Sequence, residues 1–156
     1  MPNTGASANV KILWDPQHIY VLADISDELL SNKSAINYEH DFFEIFLDEN
    51  NAKVESYQVD DYQFRINFKN ARSCGGYTRA PLIQSETIIT DTGYLNEAMI
   101  NLQTREAAVG SILGVDFQVN DVDEGNRKRG SIAKRSDSTN ESWRNTSGWG
   151  TLKLVE

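Results

Sequence analysis

The sequence predicts an all-β protein, an antiparallel β-sandwich of the jelly-roll-like kind, from three observations. Apolar and polar residues alternate with a period of two in several short segments, as in strands with one buried face. Turn residues separate these segments, for example Asp15-Pro16 and Asp91-Thr92-Gly93. No segment shows the periodicity of an amphipathic helix. Many short strands joined by turns are typical of sandwiches and jelly rolls.

The alternation is clearest in three segments, residues 18–25, 61–68 and 112–120. In the second, the side chains from Tyr62 to Phe68 alternate between aromatic or aliphatic groups on one face and polar groups on the other. Further strands are predicted at residues 9–14, 42–48, 84–90, 92–100 and 150–154, and turns at residues 48–51 and 74–76. We expect the segment 121–148 to be a long polar loop, and loops of that length in a compact domain usually carry function.

Length, composition and charge narrow the class of protein. A chain of 156 residues can bury a core of its own, so we expect one domain over residues 1–156. The formal net charge of -8 argues against nucleic acid as a partner, because phosphates require basic patches. No apolar run approaches the length of a membrane-spanning helix. We therefore expect neither nucleic acid nor a membrane as a partner, and we expect the protein to be a monomer.

Two predicted strands carry polar side chains on their outer faces. Gln63, Arg65 and Asn67 would stand in a row with steps of roughly 6.6 Å along one strand, and Glu44 lies on the outer face of another. These planar donors and acceptors match the paired hydroxyls of a sugar. A solvated sheet face has the same pattern, so the row alone leaves both interpretations open.

Two aromatic residues lie in hydrophilic segments where periodicity gives no reason to bury them. Tyr38 precedes the strand at residues 42–48, and Trp143 lies in the polar sequence TNESWRN. Sugars stack their apolar C–H faces on such rings while their hydroxyls need hydrogen bonds at the edge. Aromatic rings beside polar side chains therefore favour a carbohydrate-binding site.

Several segments, in their order along the chain, resemble carbohydrate-binding module family 9. They are VKILWD with IYVLADISD, YEHDFFEIFLDENNAK, DDYQFRIN, GYLNEAMI, SILGVDFQVND and NESWRNTSGWGTLKL. The resemblance runs from about residue 9 to the end, and it implies that the family's opening segment, about one or two strands, is missing here. It also implies a non-catalytic β-sandwich that binds the reducing ends of β-1,4-glucans or xylans, as cello- or xylo-oligosaccharides. The parent would be a secreted enzyme, such as a family 10 xylanase, whose catalytic domain the module targets to the plant cell wall.

The resemblance implies a slot in which the sugar lies between two aromatic rings while polar side chains bind its hydroxyls. Its residues would be Tyr38, Glu44, Gln63, Arg65, Asn67, Asn140 and Trp143. Tyr38 departs from the family, which has tryptophan at this position. A tyrosine ring offers less stacking area and adds a hydroxyl.

Structural calcium is common in the family, and the sequence offers two clusters of oxygen ligands for it. Residues 121–126 carry alternating acids and a glycine, loosely like a calcium loop, and residues 48–51 form the second cluster. Asp121 and Asp123 are the predicted ligands of a calcium ion that stabilises the loop.

Three other classes of protein stay open at this point. A glycoside hydrolase domain would need two carboxylates at set separations, here from Glu39, Asp41 and Glu44. A haem-binding sandwich of an extracellular cytochrome would need an axial pair. Its candidate ligands are Met99, His18 and His40. A sandwich that binds only proteins is the third.

Overall fold

The computed structural model describes residues 5–36, 39–76, 80–122 and 131–156. These ranges contain ten strands and the 3-10 turn Ala80–Leu82, and no α-helix. The strands are β1 Ser7–Trp14, β2 His18–Ser26, β3 Phe42–Asp48, β4 Asp61–Asn67, β5 Arg72–Gly76, β6 Ile83–Thr90, β7 Gly93–Asn101, β8 Ile112–Asp121, β9 Ser131–Lys134 and β10 Gly150–Lys153. Among the described residues, no helix is long and apolar enough to cross a membrane.

The strands form two antiparallel sheets. The smaller sheet has the order β1-β2-β7-β6, and the larger has the order β10-β8-β3-β4-β5. Strands β9 and β10 pair with different halves of β8, β10 with residues 112–115 and β9 with residues 118–121. The antiparallel β-sandwich predicted from the sequence is therefore confirmed.

The core lies between the sheets, as the alternation requires. In β2 the buried positions are Ile19, Val21, Ala23 and Ile25, and the residues between them are partly or fully exposed. The facing sheet contributes inward side chains such as Phe43, Ile45, Phe64, Ile66 and Phe117. Full burial of one large apolar side chain contributes about 1.5–3 kcal/mol, so this layer supplies much of the stability.

The two sheets differ on their outer faces. In β3 every residue is buried, and in β4 every residue except Arg65, although half of these side chains point away from the core. Trp149, from the loop before β10, packs on outward-facing Phe46 with ring centres 5.4 Å apart. Loops therefore cover part of the larger sheet's outer face, and a polar floor lies beneath them.

Two predictions about local structure were wrong. The segment 74–76, expected to be a turn, lies in edge strand β5. A Cβ on Gly75 would lie 2.0 Å from Oε1 of Gln63 on the neighbouring strand, so a side chain there would displace the Gln63 amide. The segment 121–148, expected to be a loop, contains β9, whose four residues are too few to show a period.

Candidate functional site

A cleft of about 560 Å³ lies on the outer face of the larger sheet. Strand register builds its floor, because Glu44 of β3 pairs with Arg65 of β4 on one side and with Gln118 of β8 on the other. Gln63 lies beside this row, and the loop before β10 contributes Asn140 and Trp143. The volume falls in the usual range for small-ligand sites.

The carboxylate of Glu44 is the centre of the floor and is only 3% exposed. Its Oε1 accepts hydrogen bonds from Nδ2 of Asn120 at 2.8 Å and Nε2 of Gln118 at 3.3 Å. Its Oε2 accepts one from Nε2 of Gln63 at 2.9 Å and lies 3.5 Å from Nε of Arg65. A buried charge is costly unless it is paired and hydrogen-bonded, and here three hydrogen bonds and the nearby charge of Arg65 compensate it.

This network also fixes the orientation of the floor amides. Nε2 of Gln118 donates to Glu44 and, at 2.7 Å, to Oδ1 of Asn120, so both of its hydrogens point along the floor. Oε1 of Gln118 is therefore the atom that can accept a hydrogen bond from a ligand in the cleft. The cleft presents a polar surface that is organised before any ligand binds.

The indole of Trp143 forms one wall of the cleft and is 58% exposed. The guanidinium of Arg144 lies 5.4 Å from its ring centre, and Glu141 pairs with Arg144 in turn. A large exposed ring above a buried polar floor suits a ligand with one apolar face and hydrogen-bonding edges.

The structure brings five of the seven predicted site residues together in the cleft. These are Glu44, Gln63, Arg65, Asn140 and Trp143. Tyr38 lies outside the described residues. Asn67 is buried beyond the cleft lining, and its Oδ1 accepts the backbone amides of Lys69 and Ala71, both at 2.9 Å. The Asn67 side chain therefore satisfies backbone donors of the β4–β5 turn and does not line the cleft, and its contact with sugar stays a prediction.

Three residues of the site were missed from the sequence. Gln118 and Asn120 occupy the outward positions of the predicted strand at residues 112–120, but only the pairing of β8 with β3 brings them to Glu44. Lys134 lines the cleft from β9, a strand that was not predicted. The sequence signal that could have identified Gln118 and Asn120 is the polar outer face of β8, which resembles that of β4.

A cluster of three aspartates lies at one end of the sandwich. Asp27 follows β2, Asp41 precedes β3 and Asp121 ends β8, and carboxylate oxygens of the three lie within 4.8 Å of one another. All three residues are buried, and Asp41 is 0% exposed. Oδ2 of Asp27 is buried without a hydrogen-bond partner among the described residues.

Burial in this cluster, together with the negative charges of Asp27 and Asp121, raises the pKa of Asp41 to about 7. Burial likewise raises the pKa of Asp27, with a further contribution from Asp121. Three carboxylates in a buried pocket, one with an unused oxygen, are the ligand chemistry that a hard cation such as Ca²⁺ prefers. The residues present therefore fit the metal that the family resemblance implies.

Of the predicted metal ligands, Asp121 belongs to this cluster and Asp123 lies outside the described residues. Asp27 and Asp41 were missed because only the fold brings them beside Asp121. In the other predicted cluster, residues 48–51, the Asp48 carboxylate accepts the backbone amides of Asn50 at 3.0 Å and Lys53 at 3.2 Å. The Asp48 carboxylate therefore stabilises a turn through hydrogen bonds to backbone amides.

A β-sandwich with an exposed tryptophan above a pre-organised polar cleft defines a carbohydrate-binding module. Comparison with known families agrees, since residues 1–156 match the family described as "Carbohydrate family 9 binding domain-like". The chain belongs to carbohydrate-binding module family 9.

Two solved structures of family 9 modules from Caldicellulosiruptor kristjanssonii are similar to this chain. One is a complex with cellotriose, with 34% identity and a TM-score of 0.92 over 97% of this chain and 76% of that chain. The other is a complex with glucose, with 34% identity and a TM-score of 0.91 over 97% of this chain and 78% of that chain.

Among curated proteins, the chain is 44% identical to part of the endo-1,4-beta-xylanase C of Paenibacillus barcinonensis, over 99% of this chain. It is also 44% identical to part of the exoglucanase XynX of Acetivibrio thermocellus, over 97% of this chain. The chain spans only 14% of the length of each of these relatives. The matched region is a small part of a much larger enzyme in both cases.

Family membership decides between the classes of protein that the sequence left open. The chain is a carbohydrate-binding module and is not a catalytic domain, so the expectation of non-catalytic sugar binding is confirmed. The hydrolase, haem and protein-binding alternatives are not needed. Consistently, the Glu44 carboxylate is fully engaged by neighbouring donors, whereas a catalytic acid or base must be able to exchange a proton with its substrate.

Proposed function

We propose that the cleft binds the reducing end of a β-1,4-linked glucan or xylan chain, with the terminal sugar stacked on Trp143. The observation that carries this proposal is an exposed indole directly above a buried, hydrogen-bonded polar floor. Tyr38 would supply the second ring, as the family resemblance implies. The cellotriose and glucose complexes of the similar modules support the same class of ligand here.

The charges of the cleft favour a neutral ligand rich in hydroxyls. The negative charge of Glu44 is balanced by the adjacent Arg65, and that of Lys134, which also lines the cleft, by Asp137 at 3.6 Å. Gln63 and Gln118 add uncharged amides to the floor. Gln118 Oε1 would accept a hydrogen bond from a sugar hydroxyl, and Asn140 at the wall could donate or accept one.

We further propose that the module acts within a larger secreted enzyme. The similar curated proteins are a xylanase and an exoglucanase, and each is far longer than this chain. In such an enzyme the module would hold an attached catalytic domain on plant cell wall polysaccharide. It would act as a monomer, because a cleft that accepts one chain end needs no second copy.

Isothermal titration with cellobiose, xylobiose and their borohydride-reduced alditols tests the proposal for end binding. We expect cellobiose to bind and cellobiitol to bind far more weakly, because reduction opens the terminal ring that would stack on Trp143. Equal affinities for cellobiose and cellobiitol would contradict reducing-end recognition. No binding of any of these sugars would contradict the choice of ligand.

A second proposal concerns calcium, which we place at Asp27, Asp41 and Asp121. The buried, unpartnered Oδ2 of Asp27 and the mutual repulsion of the carboxylates support it. Calcium would supply the positive charge that the described part of this cluster lacks. Asp41 already joins two segments, because its oxygens accept the backbone amides of Ser31 and, at 2.6 Å, Val122.

Thermal unfolding in excess chelator and in millimolar calcium tests this site. A ligand that binds only the folded state at 100 times its Kd stabilises it by about 2.7 kcal/mol, so we expect a clear rise in Tm with calcium. Asp27→Asn should reduce that rise, whereas Asp91→Asn, in the turn before β7, should not. An unchanged Tm in wild-type protein would contradict the calcium site.

A further inference from the structure

The wall that carries Trp143 is tied to the connection between β3 and β4 by one tyrosine. The hydroxyl of Tyr57 donates a hydrogen bond of 2.6 Å to the backbone carbonyl of Ser142, the residue immediately before Trp143. Ser142 itself is 3% exposed, whereas Trp143 is 58% exposed. The bond therefore lies at the point where the chain leaves the protein interior and presents the indole to the cleft.

The ring of Tyr57 is itself held rigidly. It meets Trp149 edge-on, with ring centres 5.5 Å apart and an interplanar angle of 78°. On the other side it lies against Gly76, where a Cβ would come within 2.4 Å of Cδ2 of Tyr57. Gly76 also has a φ of 61°, a conformation that a side chain disfavours, so glycine is required there on two counts. The Tyr57 ring thus occupies the space that a side chain at residue 76 would need.

Other contacts hold the same loop. The backbone amide of Thr146 donates to the carbonyl of Val54 at 2.9 Å, and its hydroxyl accepts the Val54 amide at 2.8 Å. The hydroxyl of Ser142 donates to the Asp137 carboxylate. These bonds would keep the loop attached if the Tyr57 hydroxyl were lost, but none of them is made by the Ser142 carbonyl.

We propose that Tyr57 is a positioning residue of the sugar site, which fixes the Trp143 indole at the stacking distance from the cleft floor through the Ser142 carbonyl. The inference rests on the proposed function, because it assigns Tyr57 a role in sugar affinity. A stacking ring must be held to within about 0.5 Å to be effective, and a rigid ring with a directed hydrogen bond provides this. Burial raises the pKa of the Tyr57 hydroxyl above its usual value, so the phenol stays a donor at neutral pH.

Tyr57→Phe removes only the hydroxyl and is the direct test. We expect the Kd for cellobiose, measured at a temperature where all variants are folded, to rise about tenfold. The matched control is Tyr20→Phe, which removes a hydroxyl that donates at 2.7 Å to Asp15 on the opposite sheet. The control should lose some stability and keep wild-type affinity. Equal effects of the two variants on Kd would overturn the proposal.

A sugar-free measurement separates this inference from the proposed function. The fluorescence of Trp143, obtained by subtracting the Trp143→Phe spectrum, should show lower anisotropy and faster acrylamide quenching in Tyr57→Phe than in wild type. Gly76→Ala, which displaces the same ring, should give the same change. Unchanged anisotropy in both variants would overturn the positioning role, whatever the wild-type protein binds. If Trp143 becomes more mobile in these variants as expected, and no sugar binds the wild-type protein, only the proposed ligand is wrong.

Discussion

Replacing Glu44 with glutamine tests whether the cleft floor is organised by one buried carboxylate. The substitution keeps the shape of the side chain and replaces one acceptor oxygen by an amide group that donates. Gln118 and Asn120 donate to Oε1, whereas Oε2 accepts a hydrogen bond from Gln63 and lies 3.5 Å from the positively charged Arg65. The amide nitrogen of the new glutamine would therefore face either two donors or one donor together with the charge of Arg65.

The size of the effect follows from these contacts. Each buried donor left without an acceptor costs about 1–3 kcal/mol, so two such losses would cost about 2–6 kcal/mol. Because neighbouring amides can rotate, we expect the free energy of unfolding to fall by the lower part of this range, about 2–4 kcal/mol. For a domain of this size that corresponds to a Tm lower by about 5–15 °C, which leaves the protein folded at room temperature. Some of this loss can be relieved by rotating the Gln63 or Gln118 amide. Rotation would exchange donor and acceptor atoms in the cleft, and sugar affinity should therefore fall by more than about tenfold.

Two measurements on the same samples decide the outcome, titration with cellobiose and thermal unfolding. Glu86→Gln is the matched control, because Glu86 is exposed on β6 of the opposite sheet, and it should change neither quantity. If Glu44→Gln kept a Kd within about twofold of wild type together with an unchanged Tm, the carboxylate would not organise the floor.

Three further predictions concern pH, the floor and the second ring. Burial, together with the charges of Asp48 and Asp60, raises the pKa of Asp61 to about 7, so the folded state binds a proton that the unfolded state has lost above about pH 4. In chelator, the free energy of unfolding should therefore fall as the pH rises from 4 to 7, by at most about 1.4 kcal/mol per pH unit for this group. Asp61→Asn should flatten a plot of Tm against pH. An unaltered slope would contradict the raised pKa of Asp61. Gly75→Ala should push Gln63 from its place beside Glu44, which weakens cellobiose binding and lowers Tm because the buried carboxylate loses a donor. Wild-type affinity in titration would show that this packing is unimportant. Tyr38→Trp should bind cellobiose as well as or better than wild type, because it restores the larger ring of the family, and a clear loss of affinity would argue against stacking at this position.

Much of the fold could be predicted from local pattern. Strands such as β2, β4 and β8 pack one face on the core, so the alternation of apolar residues marks them in the sequence. Strand β5 could not be recognised, because Gly75 and Gly76 resemble a turn. They are glycines because the side chains of Gln63 and Tyr57 occupy the space above them.

The site was predictable in part for a similar reason. Outward polar residues on one strand share a face, which is enough to group Gln63 with Arg65, and Trp143 stands out in a polar loop. Strand order and register decide which further residues meet them, and neither can be read from one strand. The cluster of Asp27, Asp41 and Asp121, and the link from Tyr57 to the Trp143 loop, depend on contacts of that long-range kind.

Titration of Trp143→Ala with cellobiose shows whether sugar binding depends on stacking against the Trp143 indole. The indole is mostly exposed, so its removal should leave the fold and Tm nearly unchanged. Loss of a ring that dominates a small site costs about 2 kcal/mol or more, roughly thirtyfold in Kd, and we expect no measurable heat of binding. Full cellobiose affinity in Trp143→Ala would show that the sugar does not stack in this cleft.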